Sequence, residues 1–213
     1  VFNHTSPEFF AFKDIVENKV NSRYKDWYYI DSYPVKQPAR MTRPNYKTFA
    51  YFGGMPKLNL NNEETAEYFI NVGKYWIEKC NIDGWRLDVA ADLGKTPEFN
   101  HKFWAEFRDA VKGVSADKLI LAEHYGDADA WLQGNEWDSI MNYDAFMEPV
   151  TWFLTGVSKH STEKREDMYN NADVFWGSMI YQMGKLPVQS LTTSMNELSN
   201  HDHSRFLTRT NMR

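Results

Sequence analysis

Two hundred and thirteen residues, 42% hydrophobic, 16% aromatic and 25% charged, describe a chain that can bury a core rather than a disordered one. No apolar run reaches the roughly 18 residues that a membrane-spanning helix needs, so no membrane partner is expected. A net charge of -5 argues against a nucleic-acid partner, whose phosphates require a basic surface. The single cysteine, Cys80, excludes an internal disulfide framework and leaves bacterial cytoplasm and secretion both open.

The chain opens on Val1-Phe2-Asn3-His4 with neither Met nor a signal peptide and stops at Asn211-Met212-Arg213, which predicts an internal piece of a longer protein. From Thr5 to about Gly54 there is little periodicity. Prolines at 7, 34, 38 and 44 interrupt it and twelve aromatics crowd between Phe9 and Phe52, so an irregular excursion with short strands is expected. A helix follows, capped by Asn61 or Asn62, with Glu63 and Glu64 in its first turn. Ala66, Phe69, Ile70, Gly73, Trp76, Ile77 and Cys80 form its inward face.

Ile82 to Val89 reads as a strand, and Thr96-Pro97-Glu98 opens a second helix with Phe99, Phe103, Phe107 and Val111 on one side. Lys118 to Ala122 is apolar on both faces, as in a buried parallel strand. A weaker strand is expected at 139–143, a helical stretch from about Lys164 to Met183, and a last strand near 194–199. Strands alternating with amphipathic helices imply a parallel sheet with right-handed crossovers. With no Gly-x-Gly-x-x-Gly and no Gly-Lys-Ser/Thr loop, a nucleotide-binding doubly wound sheet is disfavoured and a barrel is left.

In a (β/α)8 barrel, polar residues at the C-terminal ends of strands converge on one site. This chain places them there repeatedly: Asn3-His4, Arg86 with Asp88, Glu123-His124 and Asn200-His201-Asp202. Gly84, Arg86 and Asp88 share one strand face. The guanidinium favours an ionised Asp88, as a nucleophile needs; equally, the pair could simply tie the interior together. Glu123 ends an apolar strand, where partial desolvation favours the protonated carboxyl of a general acid. The alternative is a rim carboxylate in water. Asp202 is a third acid, able to stabilise positive charge developing on a sugar ring. His201-Asp202-His203 also has the spacing of a metal-hydrolase pair, but His4, His101, His124 and His160 are scattered singles. A nucleophile elbow for a Ser-His-Asp hydrolase is absent.

Together these residues resemble the α-amylase family of glycoside hydrolases, in its neopullulanase and cyclomaltodextrinase branch. Val1-Phe2-Asn3-His4 is similar to the end of the family's first conserved region, and Gly84 to Ala90 to the second. Leu121-Ala122-Glu123-His124 is similar to the third and Leu198 to Asp202 to the fourth, while Met55-Pro56-Lys57-Leu58-Asn59 resembles the region that marks the branch. The resemblance implies a partial TIM barrel running from about strand 3 to strand 7. Residues 1–4 would end strand 3, 5–54 would be an inserted domain, and 55–213 would hold strands 4 to 7 with their helices.

It implies Asp88 as nucleophile, Glu123 as general acid/base and Asp202 as transition-state stabiliser. Arg86 would hold Asp88 ionised, and His4, Asn200 and His201 would contact substrate. Trp27 and Trp131, with Tyr28 and Tyr29, would offer stacking platforms, for which core packing is the competing account. It further implies an α-glucan partner, retaining chemistry without a required cofactor, calcium at Asn3 in some members, and a homodimer formed through an N-terminal domain beyond this segment. Two departures stand out. Ala90-Ala91 follow Val89 where the branch often has Asn-Glu, and Asn196 and Glu197 sit where a buried strand prefers apolar residues. The competing functions are a non-catalytic carbohydrate-binding or transporter-partner relative on the same barrel and a metal-dependent barrel hydrolase.

Overall fold

The computed structural model describes residues 2–36, 43–158 and 163–210. Val1, Pro38, His160 and Asn211 to Arg213 lie outside the described residues. The chain divides into two compact units, Val1–Ile120 and Leu121–Arg213.

In the first unit, α2 (Glu63–Cys80) starts where the Asn62 side chain accepts from the Thr65 amide, and it ends at a left-handed Asn81. Helix α3 (Pro97–Val114) starts on Thr96, which caps the Phe99 amide, with Pro97 in the first turn. Both starts agree with the sequence reading. The two helices meet at Gly73, where a Cβ would stand 2.3 Å from the Phe107 ring, so only glycine permits this approach. Phe2 touches Phe69, Trp85, Phe103, Trp104 and Phe107 at centroid distances of 5.2 to 6.4 Å. Truncating a ring such as Phe107, fully buried, costs about 3–5 kcal/mol in such cores.

Two expectations for this unit change. Trp76 and Cys80 are exposed, because the inward stripe of α2 is the narrower Thr65, Ala66, Phe69, Gly73, Ile77 set. The excursion contains a helix, α1 (Phe10–Asn18). Its start at Phe9 has no side-chain cap, so no local start signal exists. Tertiary packing holds it instead: Phe12 meets Tyr28 and Tyr46 edge-on, each at 5.0 Å. Paired residues such as His4 with Lys57 and Tyr28 with Leu58 stand in for strands.

Strand β1 (Gly84–Leu87) is shorter than the expected Ile82 to Val89 run. A Cβ on Gly84 would lie 2.1 Å from the Leu119 carbonyl oxygen, so glycine here admits the neighbouring backbone. Strand β2 (Leu119–Ala122) spans the boundary between the units.

In the second unit β2 pairs in parallel with β3 (Ser139–Ile140), Leu121 opposite Ser139 and Ala122 opposite Ile140. Met141 continues the parallel register with a single bridge to Met195. Leu121, Met141, Tyr143 and Met147 form a buried cluster. Helices α4 (Glu148–Thr155), α6 (Val188–Thr192) and α7 (Phe206–Thr210) fall where no helix was expected. Helix α5 (Ala172–Met183) occupies only the latter part of the expected 164–183 stretch. The expected strand at 194–199 reduces to the Met195 bridge, since Asn196 and Glu197 are recruited by side-chain bonds to Asn142 and Asn200. Among the described residues no helix is long and apolar enough to cross a membrane.

Candidate active site

In the first unit β1 delivers Arg86 and then Asp88, which stands in the turn just beyond the strand. Arg86 Nη1 donates to Asp88 Oδ1 at 2.6 Å, with the two side chains 28% and 27% exposed. An ion pair this short and this shielded fixes the carboxylate's direction. His4 lies near enough to feel Asp88. Burial lowers the imidazole pKa and the Asp88 charge partly opposes this, leaving a neutral ring at pH 7. That ring stacks on Phe49 at 5.0 Å, and its buried Nδ1 has no hydrogen-bond partner. A neutral imidazole with an unused nitrogen can meet a hydroxyl as donor or acceptor.

Asn3 is 1% exposed. Its carboxamide nitrogen donates to the Asp92 carbonyl, and its buried Oδ1 has no hydrogen-bond partner. An orphaned oxygen suits a hard cation, which wants six to eight oxygens. The surroundings do not. The Asp92 carboxylate is already paired with the Lys57 ammonium at 2.7 Å, and among the described residues no three His, Cys, Asp or Glu side chains gather to hold a metal. The ammonium already supplies positive charge there, so the residues present do not fit calcium at Asn3.

In the second unit Glu123 follows directly on β2 and is 8% exposed. Its neighbour in alternation, Tyr125, stacks flat on Tyr143 at 4.3 Å and 5°. Burial pushes the Tyr125 hydroxyl up, helped by its hydrogen bond to Tyr143 and by the charges of Glu123 and Asp202. Tyr125 therefore senses both acids of this unit.

Asn200 organises the segment that carries Asp202. Its Nδ2 donates to Tyr143 Oη at 2.9 Å and to Glu197 Oε1 at 2.7 Å. Its Oδ1 accepts from the Asp202 amide at 2.9 Å and meets His203 Nδ1 at 2.6 Å. Both donors and both acceptor positions are used within the protein, which makes Asn200 a positioning residue and not the substrate contact expected. His203 is buried and its other nitrogen faces the Tyr125 hydroxyl at 3.4 Å. His201, with 71% of its side chain exposed, turns to Asp202 at 3.5 Å. The two histidines thus face different neighbours, and the metal-pair reading of His201 and His203 loses its geometry.

The aromatic platforms separate. Trp27 is 2% exposed and donates its indole N–H to Glu64 at 3.1 Å, so it is core and unavailable for stacking; Tyr28 is buried likewise. Tyr29 is half-buried beneath the ammonium groups of Lys47 and Lys95. Trp131 stacks on Trp137 at 4.8 Å with His124 beside it at 5.0 Å, and it keeps partial exposure. Sequence reasoning gave no role to Lys57, Tyr125 or Tyr143, and weighed His203 only as a metal ligand. Tyr125 was findable, two residues beyond Glu123 on the same alternation.

The whole chain, residues 1–213, matches the model of the alpha amylase catalytic domain, and it belongs to that family. The family fold is a TIM barrel, of which the structure shows a partial parallel sheet with helices. Among curated proteins it is 42% identical over 209 residues to neopullulanase 2 of Thermoactinomyces vulgaris. It is 39% identical over 208 residues to a cyclomaltodextrinase of Geobacillus thermopakistaniensis. Both alignments take in 98% of this chain and 32% of the relative, so the chain spans about a third of their length. Among solved structures, the Nostoc punctiforme debranching enzyme soaked with acarbose superposes with a TM-score of 0.89 at 33% identity, over 100% of this chain and 45% of that one. The cyclic alpha-maltosyl-(1-->6)-maltose hydrolase of Arthrobacter globiformis in complex with maltose gives 0.84 at 35%, over 100% and 44%.

Proposed function

We propose that the protein is a retaining α-glucan hydrolase acting on α-1,4 bonds, and also on α-1,6 bonds, of maltodextrins, cyclodextrins or pullulan. The residues described form part of its barrel, from about strand 3 to strand 7, with 5–54 as the insertion. Asp88 is the nucleophile, Glu123 the acid that protonates the leaving oxygen, and Asp202 the carboxylate that stabilises the oxocarbenium-like transition state. His4 and His201 hydrogen-bond the reacting sugar. Retaining glycosidases set nucleophile and acid about 5–5.5 Å apart, too close for an intervening water, so a covalent glycosyl-enzyme forms and is then hydrolysed with retention.

The observation that carries the reading is the Arg86 to Asp88 pair of 2.6 Å at the mouth of β1, in a chain matched to the family over its full length. The different surroundings of the two carboxyls, Glu123 buried directly after β2 and Asp88 held by a guanidinium, support the division of roles. A non-catalytic relative that only binds carbohydrate is disfavoured because all three acids are present. Turnover of maltotriose, pullulan and cyclodextrin by the intact enzyme and by Asp88→Asn tests this. Loss of turnover with oligosaccharide binding retained is expected; normal turnover in the variant ends the proposal.

A further inference from the structure

Asp88 sits on a turn that is built against conformational preference. Val89, its immediate successor, has φ of +50°, in the left-handed region that a β-branched residue disfavours strongly. The other non-glycine residues with positive φ among those described are Lys19, Ala50, Tyr51 and Asn81, none of them β-branched. A plain chain reversal would be made at less cost by Gly, Asn or Asp. Here the reversal is enforced from outside. The Ala90 carbonyl accepts from Asn100 Nδ2 at 3.0 Å and from Trp104 Nε1 at 2.7 Å. Ala90 is 0% exposed and both donors are 1% exposed. The Asp92 amide closes the turn on the Val89 carbonyl at 3.1 Å, and Asn3 holds the Asp92 carbonyl. Asn100 and Trp104 stand one turn apart on α3, so the rigid helix is the frame against which the strained turn is clamped.

We infer that Asn100 and Trp104, by gripping the Ala90 carbonyl together, hold Val89 in its left-handed conformation and so aim the Asp88 carboxylate at the reacting centre. This rests on the assignment of Asp88 as nucleophile. Both act through the backbone, as positioning residues. Strained backbone is retained where surrounding structure over-determines it and where function needs the resulting geometry. A reversal directly after Asp88 ends the strand there, leaving the carboxylate at its tip, while Arg86 fixes it from the strand side.

The test measures kcat, KM and thermal unfolding midpoint for the intact enzyme and for Asp88→Asn, Val89→Asn, Asn100→Leu, Trp104→Phe and the Asn100→Leu/Trp104→Phe pair. Asparagine adopts the left-handed region readily, so Val89→Asn should keep the turn, unfold at the same or a higher temperature with kcat within about twofold of wild type, and, added to the Asn100→Leu/Trp104→Phe pair, restore about 10-fold of the kcat that the pair loses. A small misplacement of a reacting group costs up to about 10²-fold, and that is the loss in kcat expected for the pair, with KM changed less than about threefold. Trp104→Phe alone keeps the ring among Phe2, Phe103 and Phe107 and keeps one donor to Ala90, so its loss is intermediate. Recovery of kcat in that triple variant is what a merely structural role for Asn100 and Trp104 cannot give. A triple variant no more active than the pair, or a pair that is destabilised with kcat intact, overturns the inference while Asp88→Asn remains inactive. Full activity in Asp88→Asn instead overturns the nucleophile assignment, and this inference with it.

Discussion

The segments carrying Asp88 and Asp202 hold their acids by different physics. Asp88 stands just beyond a strand, is gripped by one guanidinium at 2.6 Å, and is followed by a strained turn whose Ala90 carbonyl is bound by two buried donors from a long helix. Asp202 lies in an irregular segment, more exposed, and its backbone is shaped by one amide side chain, Asn200, which spends all its hydrogen-bonding capacity within the protein. Behind it Arg209, fully buried, bonds the Leu198 carbonyl at 2.6 Å and the Thr151 hydroxyl at 2.8 Å. On the proposed assignment, a group that must attack one atom is aimed by rigid backbone. A group that supplies charge needs a place more than a direction, and a side-chain hub is enough.

That contrast orders the expected effects. Asp88→Asn should lose about 10⁴-fold or more in kcat, the scale seen when a covalent nucleophile is removed. Asp202→Asn should lose less; equal losses on maltotriose would remove the distinction. Next in size, Asn200→Leu should lower kcat about 10²-fold, because the Asp202 amide and the Tyr143 hydroxyl lose their shared partner. Comparable kcat in wild type and Asn200→Leu would show the hub to be dispensable.

Arg209→Met acts on stability. It leaves the Leu198 carbonyl and the buried Thr151 hydroxyl without this donor, and chemical denaturation should report a loss of about 2 kcal/mol.

The smallest effect is a pH dependence from His4. Burial keeps its folded pKa below the ordinary value of about 6.5, so below that pH the unfolded chain binds the extra proton. Its contribution to stability is complete above about pH 6.5 and is lost as pH falls toward the folded value. His4→Asn should flatten that part of the stability profile; an unchanged slope between pH 7 and 5 would assign it to other groups.

Legibility followed the range of the forces. The starts of α2 and α3 could be read because Asn62 and Thr96 act on amides three residues away. The parallel strand at 119–122 was visible as an apolar run, and Arg86 beside Asp88 follows from strand alternation. Helix α1 was hidden because it has no cap and is held by rings distant in sequence. Trp27 and Trp131 looked alike as aromatic residues; only packing made one core and the other partly open. The fate of Asn200 was equally hidden, for beside its near neighbours Glu197, Asp202 and His203 it needs Tyr143, 57 residues away.

By itself, the order of residues determined the family, the chemistry available at the strand ends and which acids were the candidates, since these depend on residue type and local spacing. Tertiary structure alone decided that Lys57 neutralises Asp92 beside Asn3, that Asn200 faces inward, and that Val89 is held against its preference. Each of those outcomes depends on a contact between residues far apart along the chain, where no periodicity reaches.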